Sequence, residues 1–309
     1  MFCDLCLPEH EDLYVQRDRL TMVLRLGYDV IATDHLATGR LTPQDRCRLQ
    51  PLSSEAILAG PGGEQALLVR KALPWAASPA QDLKQLKRLT LSTDDPAAAA
   101  QAFAGGASSR AETAGYDLLA VQPLSERLLQ QACSSLQVDI VSLDMSHRLP
   151  FKLRPKVLAP AVDRGVMFEI SYACCLRDDT SRRMLFSNAT ALARATRGQN
   201  VILSSGARTA FELRSPYDVI NLATLFGLPE RHAKTAISTR CEQLLAAASL
   251  RSFHKGVIKI EEVGPAVNLP KLEGSMHKDA ASSSSPSCSA LGKRKSGRGS
   301  AVTANAVAK

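Results

Sequence analysis

The stretch "VDRGVMFEISYACCLRDDTSRRMLFSNATALARATRGQNVILSS", residues 162–205, decides the fold class of this 309-residue chain. A short predicted helix ends at Arg164, and an apolar run with the alternation of a strand follows it. Apolar residues then recur at helical spacing as far as Gly198, and a second apolar run, "NVILSS", comes directly after. Strand, helix and strand in this order predict two parallel strands in one sheet.

The same unit repeats along most of the chain. The other predicted strands are 1–7, 28–35, 86–93, 117–123 and 138–144, and the predicted helices between them are 11–27, 97–104 and 125–136. About seven or eight parallel strands predict an α/β fold of the TIM-like (β/α) barrel type. A long loop with a short helix at 53–58 interrupts the repeat, and extra helices are expected at 215–227, 229–238 and 239–249.

The composition divides the chain into two parts. Residues 1–263 are expected to form the barrel, and residues 264–309, rich in Ser, Ala and Lys, are expected to form a disordered tail. Seven basic and two acidic residues lie in that tail, so it supplies most of the net charge of +8 and the body has only a small excess. The basic cluster "GKRKSGR" (292–298) is typical either of a nuclear localisation signal or of an RNA contact, and both interpretations stay open.

Neither cysteine usage nor hydropathy indicates an extracellular or membrane protein. No secretory signal accompanies the eight cysteines, so reduced thiols are expected. Cys3 and Cys6 would point to opposite faces of a strand, which excludes a shared metal ion. No apolar run approaches the roughly 18 residues of a membrane span, and we expect a soluble, intracellular protein without membrane contact.

Three charged residues near the central strand are candidates for an active site. Asp163 and Arg164 precede this strand, and Glu169 lies inside it. Catalysis and a partner or RNA contact are alternatives, but no nucleophile, metal cluster or phosphate loop accompanies these residues in the sequence. A carboxylate inside a barrel must be paired, and an arginine a few residues away is a natural partner. We therefore predict a buried structural polar network of Asp163, Arg164 and Glu169.

Two strand ends resemble a family of metal-dependent enzymes. "CDLCLPEH" (3–10) and "ATDH" (32–35) are similar to the first two strand ends of the polymerase and histidinol phosphatase superfamily of phosphoesterases. Asp4-Leu5 and Thr33-Asp34-His35 match that pattern, whereas Cys6 and Pro8 stand where its metal-binding histidines belong. Proline offers no ligand, so we predict no metal site.

A longer resemblance covers about residues 2–260. "LPFKLRPKVLAPAVDRGVMFEISYACCLRDDTSRR" (149–183), "GQNVILSSGA" (198–207) and "ELRSPYDVINLATLFGLPERHAKTAISTRC" (212–241) are similar to the thirty-kilodalton protein subunit family of ribonuclease P and ribonuclease MRP. The resemblance implies a barrel related to those phosphoesterases that lacks their metal site, in agreement with Cys6 and Pro8. The Ala-rich segment near 97–107 and the tail depart from the family.

The family resemblance also implies a function. The expected protein is a non-catalytic subunit that helps to fold and hold a catalytic RNA, which removes the 5′ leader of precursor transfer RNA. The related ribonuclease MRP processes ribosomal RNA precursors. The implied partners are the ribonuclease P and MRP RNA, precursor transfer RNA, a small ferredoxin-like protein subunit and the other ribonuclease P proteins. No cofactor is expected on this chain, Mg²⁺ is expected at the catalytic RNA, and the expected location is the nucleus and nucleolus.

Arginines after the late strands are the candidates for RNA contact, because a guanidinium donates two hydrogen bonds to one phosphate. The candidates are Arg177, Arg182, Arg183, Arg194, Arg197, Arg208 and Arg214, with Arg177, Arg182, Arg183, Arg208 and Arg214 preferred. The motif "SSGAR" (204–208) follows a late strand, the usual phosphate-binding position of barrels, and Ser204, Ser205 and Gly206 are predicted to offer a backbone cradle. A solvated helix face is the alternative for each arginine.

Two other functions remain possible from the sequence alone. One is a free-standing metal-dependent phosphoesterase whose site is rebuilt around Asp4, Asp34 and His35. The other is a protein-interaction barrel that binds no RNA.

Overall fold

A computed structural model describes residues 1–76, 83–103 and 112–252 of the chain. Within them, seven strands form one sheet in chain order, and every neighbouring pair is parallel. The strands are β1 Cys3–Pro8, β2 Val30–Thr38, β3 Lys84–Thr93, β4 Leu118–Pro123, β5 Ile140–Ser142, β6 Met167–Ser171 and β7 Val201–Ser204. This arrangement confirms the TIM-like barrel with seven strands.

The first and last strands approach each other and nearly close the barrel. The backbone N–H of Gly206, just after β7, donates to the carbonyl oxygen of Cys6 in β1 at 2.9 Å. The register of β1 against β2 shifts between Asp4 and Leu7, where β1 bends. We call the junction of β1 and β7 the seam.

Helices surround the sheet, and their ends follow local capping rules. The helices are α1 Leu13–Leu26, α2 Ser54–Leu58, α3 Gly63–Ala72, α4 Pro96–Phe103, α5 Glu126–Ser134, α6 Pro155–Asp163, α7 Cys174–Arg177, α8 Asp179–Thr196, α9 Pro216–Leu225, α10 Glu230–Ala236 and α11 Thr239–Ser252. Gly27 ends α1 with φ 87°, and the Ser125 and Ser215 side chains cap α5 and α9 as expected. None of these helices is long and apolar enough to cross a membrane.

Two apolar layers stabilise the barrel. The outer layer lies between the strands and the helices, where residues such as Leu20, Leu128 and Leu185 are fully buried. The inner layer fills the amino-terminal end of the barrel, where strand residues pack against Cys241, Leu244 and Ala248 of α11. Helix α11 therefore closes this end, and the opposite, carboxyl end is where the polar interior residues lie.

Two predictions concern residues that the structure does not describe. The disordered tail proposed for 264–309, including the basic cluster at 292–298, lies outside the described residues, as does the end of the Ala-rich segment. Two described helices, α3 and the four-residue α7, were absent from the prediction.

Candidate functional site

The centre of the carboxyl end of the barrel holds a buried ion pair. The guanidinium of Arg88 in β3 donates from Nη1 to Glu169 Oε1 at 2.5 Å and from Nη2 to Oε2 at 2.6 Å. Neither side chain is exposed to solvent. Nη1 also donates to the carbonyl oxygen of Leu5 at 2.7 Å, which ties β3 to β1 and β6 across the barrel. Such a two-pronged pair fixes both side chains.

Three further side chains complete this group, which we call the mouth network. Asp34 Oδ1 lies 3.2 Å from Arg88 Nε and accepts from the Thr90 hydroxyl at 2.5 Å. The Ser204 hydroxyl donates to Glu169 Oε1 at 2.6 Å. The mouth network is thus Arg88, Glu169, Asp34, Thr90 and Ser204, contributed by four strands.

The electrostatics of the mouth network follow from burial and pairing. Burial raises the pKa of Glu169, but the Arg88 charge and its hydrogen bonds outweigh that effect and hold this pKa below its usual value. For Asp34 burial dominates over the Arg88 charge, so its pKa is raised. One guanidinium therefore neutralises a carboxylate that could not otherwise stay ionised inside the barrel.

The residues of the rival phosphoesterase site do not converge. Asp34 points into the barrel toward Arg88, whereas His35, the next residue on the strand, points the opposite way. Its Nδ1 lies 2.7 Å from Glu9 Oε2 and its Nε2 3.4 Å from Asp45 Oδ1. Burial lowers the pKa of His35, but these two carboxylates outweigh burial and raise it above its usual value. The described part of the chain contains no cluster of three metal-ligating side chains.

Asp4 lies at the seam, in strand β1. Its Oδ1 accepts the backbone N–H of Ser205 at 2.9 Å and that of Cys6 at 3.4 Å. Its Oδ2 is buried without a hydrogen-bond partner among the described residues. Burial raises the pKa of Asp4 to about 6. Asp4 therefore joins β1 to β7 as a structural contact.

The phosphate cradle predicted at Ser204 and Ser205 is wrong. Both residues are buried, and the Ser204 hydroxyl belongs to the mouth network. The N–H of Ser205 donates to Asp4, that of Gly206 to the Cys6 carbonyl, and that of Ala207 to the Ser205 hydroxyl at 3.2 Å. The N–H groups that would hold a phosphate are already occupied by the seam.

The candidate arginines lie at the carboxyl end of the barrel, but they differ in how firmly they are held. Arg177 donates to both carboxylate oxygens of Glu212, at 2.7 and 2.8 Å, and to the carbonyl oxygen of Gly206 at 2.8 Å. It therefore fixes the loop after β7 against the loop after β6. Arg214 donates from Nη1 to the carbonyl oxygens of Phe211 and Leu213 at 2.7 and 2.8 Å. The hydrogen bonds of Arg177 and Arg214 therefore stabilise the loops after β6 and β7.

Three arginines leave their charge at the surface. Arg182 donates from Nε to the Cys175 carbonyl at 2.9 Å and pairs with exposed Asp179, while Arg183 and Arg208 are exposed. Phe211, in the same loop as Arg208, is 86% exposed. Exposed arginines beside an exposed aromatic ring are a surface that phosphates and unpaired bases bind. Their contact with RNA stays a prediction.

Residues 1–252 match the family model described as RNase P subunit p30. The chain belongs to this family.

Relatives of the p30 family were found in several eukaryotes. The mouse "Ribonuclease P protein subunit p30" is 35% identical over 257 residues, 83% of this chain and 89% of the mouse protein. "Protein GAMETOPHYTE DEFECTIVE 1" of Arabidopsis thaliana is 32% identical over 250 residues, 78% of this chain but 41% of its own length. The "Ribonuclease P/MRP protein subunit RPP1" of Saccharomyces cerevisiae is 32% identical over 177 residues, 57% of this chain and 58% of the yeast protein.

A solved structure shares the fold of this p30-family chain. A chain in the "cryo-EM structure of archaeal Ribonuclease P with mature tRNA" aligns with a TM-score of 0.53 at 14% identity, over 85% of this chain and all of that one. At this identity the likeness concerns the fold alone.

The structural network predicted for this p30-family chain has a different membership. Glu169 is buried and paired, but its partner is Arg88. Arg164 donates to the carbonyl oxygens of Ala132 and Cys133 at 3.2 and 3.1 Å, so it caps the end of α5. Asp163 is exposed at the end of α6. The prediction of Asp163 and Arg164 as partners of Glu169 is wrong, because both precede the strand and lie at the other end of the barrel.

Arg88, the central residue of the mouth network, was not predicted from the sequence. A signal was present, because alternation in "LKRLTLST" places Leu86, Arg88 and Thr90 on one face of the strand. Leu86 packs against the inner apolar layer, so this face is the inner one. An arginine on that face requires a buried carboxylate, and Glu169 was the candidate already identified.

Proposed function

We propose that this chain is a non-catalytic protein subunit of ribonuclease P and of ribonuclease MRP, and that exposed arginines at the carboxyl end of its barrel contact RNA. The catalyst in this proposal is RNA with its Mg²⁺, which cleaves the 5′ leader from precursor transfer RNA. Family membership supports the assignment to ribonuclease P, and the name of the yeast relative supports ribonuclease MRP.

The mouth network is the observation that carries the non-catalytic assignment. Barrel enzymes place their chemistry at the carboxyl ends of the strands. Here that place is filled by the guanidinium of Arg88, which is bonded on all sides to Glu169, Thr90 and the Leu5 carbonyl. A guanidinium fixed in this way has its donors engaged within the protein and donates no proton at working pH.

The other partners in this proposal rest on family resemblance. They are a small ferredoxin-like protein subunit, the remaining ribonuclease P proteins and precursor transfer RNA. The proposed location is the nucleus and nucleolus. Fluorescence microscopy of the tagged chain, with and without residues 264–309, tests the location and the contribution of the basic tail.

The first experiment purifies the tagged full-length chain from its own cells and sequences the RNA that accompanies it. The eluate is then tested for 5′ cleavage of precursor transfer RNA, with and without pretreatment by micrococcal nuclease. A structured RNA and nuclease-sensitive cleavage are expected. Metal-dependent phosphoesterase activity of the chain without RNA would overturn the proposal.

The RNA-contact surface is tested with two double variants of equal charge. R183Q/R208Q removes two exposed positive charges at the carboxyl end, and R25Q/K71Q removes two exposed charges from the last turns of α1 and α3, at the amino end. The salt dependence is the slope of the logarithm of the RNA-binding constant against the logarithm of the salt concentration. Each lost phosphate contact makes this slope shallower by about one, so R183Q/R208Q is expected to make it shallower by about two. Equal effects of the two double variants would show that the arginine surface after β6 and β7 is not the RNA contact.

A further inference from the structure

A second basic site lies at the end of the barrel that α11 closes. A cavity of about 420 Å³ lies beside α10 and α11 and is lined by Arg231, His232, Thr235, Thr239, Arg240 and Gln243. This volume is within the range of small-molecule sites. Arg231, Thr239 and Gln243 are exposed, so the cavity opens to solvent. We call it the basal cavity.

The basal cavity carries positive charge without a counter-charge. Of its six lining side chains, all within the described residues, two are arginines and none is acidic. Arg240 is partly buried and donates from Nη1 to the Val201 carbonyl oxygen at 3.0 Å, and burial lowers its pKa. Glu242 lies on the same helix but is 3.5 Å from the amino group of Met1. A desolvated cation in a cavity without a carboxylate favours a bound anion.

His232 is held in one orientation toward the basal cavity. The Gly198 carbonyl can only accept, so Nδ1 of His232 is the donor in their 3.0 Å contact. A Cβ on Gly198 would lie 2.6 Å from that nitrogen, and this glycine has φ 69°. The close approach therefore requires glycine. With Nδ1–H donating to Gly198, Nε2 of the neutral ring carries a lone pair and can only accept, so His232 forms part of the cavity wall and the arginines supply the donors.

The surroundings extend the positive charge. Arg194 lies in the last turn of α8 and Arg197 caps it, both exposed and directly before Gly198. Lys234 is exposed one turn after Arg231 on α10. Glu230 is the exposed acidic residue on that helix, outside the cavity lining. The field around the cavity therefore attracts anions.

We propose that the basal cavity binds a phosphate group through Arg231 and Arg240. Guanidinium groups match the tetrahedral oxygens of phosphate, and the threonine hydroxyls add donors at the rim. The phosphate belongs either to an RNA backbone or to a free nucleotide. The site goes beyond the proposed function, because it lies at the opposite end of the barrel from Arg183 and Arg208.

The test measures binding of inorganic pyrophosphate to the full-length chain by isothermal titration calorimetry, supported by NMR of ¹⁵N-labelled arginine side chains. R231Q and R240Q are expected to weaken binding by about tenfold each. K234Q, which removes one charge from the same helix outside the cavity, is the matched control and is expected to change binding less than about twofold. Because Arg240 also bonds to the Val201 carbonyl, thermal unfolding checks each variant, and exposed Arg231 keeps the test valid if R240Q misfolds.

A parallel titration with the RNA recovered from cells distinguishes the two sources of phosphate. If R231Q weakens both pyrophosphate and RNA binding more than K234Q, the ligand is an RNA phosphate. If R231Q weakens pyrophosphate binding alone, the ligand is a free phosphate compound. Absence of saturable pyrophosphate binding, or equal effects of R231Q and K234Q, would overturn the proposal while leaving the ribonuclease P assignment intact.

Discussion

The two ends of the barrel interior stabilise the same seven strands by different means. At the amino end, Met167 and its neighbours pack against Leu244 of α11 in an apolar layer. Two residues further along the same strand, Glu169 belongs to a network of buried charges. In an apolar layer, the stability lost on substitution grows with the number of buried atoms removed. In a network of buried charges, removing one partner leaves the other charge without compensation, so the loss of stability is large at once. The difference predicts which end tolerates substitution.

The largest effect is expected at the mouth network. Arg88→Met leaves the Glu169 carboxylate buried without a cation, so the free energy of unfolding should fall by about 3–5 kcal/mol. Urea unfolding followed by circular dichroism measures it.

The double variant R88M/E169L sharpens this comparison. Removing both charges together abolishes the desolvation penalty, so the double variant should recover most of the stability lost in R88M. If R88M is already as stable as the wild type, the ion pair does not hold the mouth together and the proposed contrast between the ends fails.

A smaller effect is expected at the apolar end. Leu244→Ala removes buried methyl groups from the inner layer and should lower the free energy of unfolding by about 2–5 kcal/mol, depending on how far α11 settles into the space. Gln243→Ala, at the neighbouring exposed position, is the control and should change it by less than about 0.5 kcal/mol. The same urea unfolding assay decides the result, and equal losses in both variants would show that α11 does not plug the barrel.

Features with a local cause were the ones that could be predicted from the sequence. The end of α1 at Gly27 and the start of α9 at Ser215 follow from capping chemistry within a few residues, and both predictions are confirmed. The parallel order of the strands follows from the repeated strand-helix unit.

Pairings across the barrel could not be predicted from local sequence. Glu169 was assigned Arg164, five residues away, but pairs with Arg88, 81 residues away. Helix α3 was missed because it is also stabilised by a contact that is far away in the sequence. Its Arg70 donates to the Asp29 carboxylate at 2.6 Å, and the two residues are 41 positions apart. Strand alternation identifies which residues face inward, but it does not say which of them meet.

The last prediction concerns pH and the seam. Asp4 has a pKa raised to about 6 by burial, whereas an aspartate in an unfolded chain titrates near about 3.9. The folded state therefore favours the protonated carboxyl. The resulting stability is complete below about pH 4 and is lost as the pH rises through about 6, at most about 3 kcal/mol. Glu169 acts in the opposite direction, because Arg88 lowers its pKa and its contribution is lost in acid.

Asp4→Asn separates Asp4 from these other groups, because it removes one titration and keeps the shape of the side chain. Free energies of unfolding are measured from pH 4 to pH 7.5 for wild type and variant. The advantage of wild type over D4N should shrink steadily between about pH 4 and pH 6 and then stay constant. A difference independent of pH would mean that Asp4 has the same pKa in the folded and the unfolded chain and is ionised above about pH 5. The seam would then hold a buried charge over nearly the whole range, and the contrast between a mouth that stays charged and a seam that is neutral below about pH 6 would be wrong.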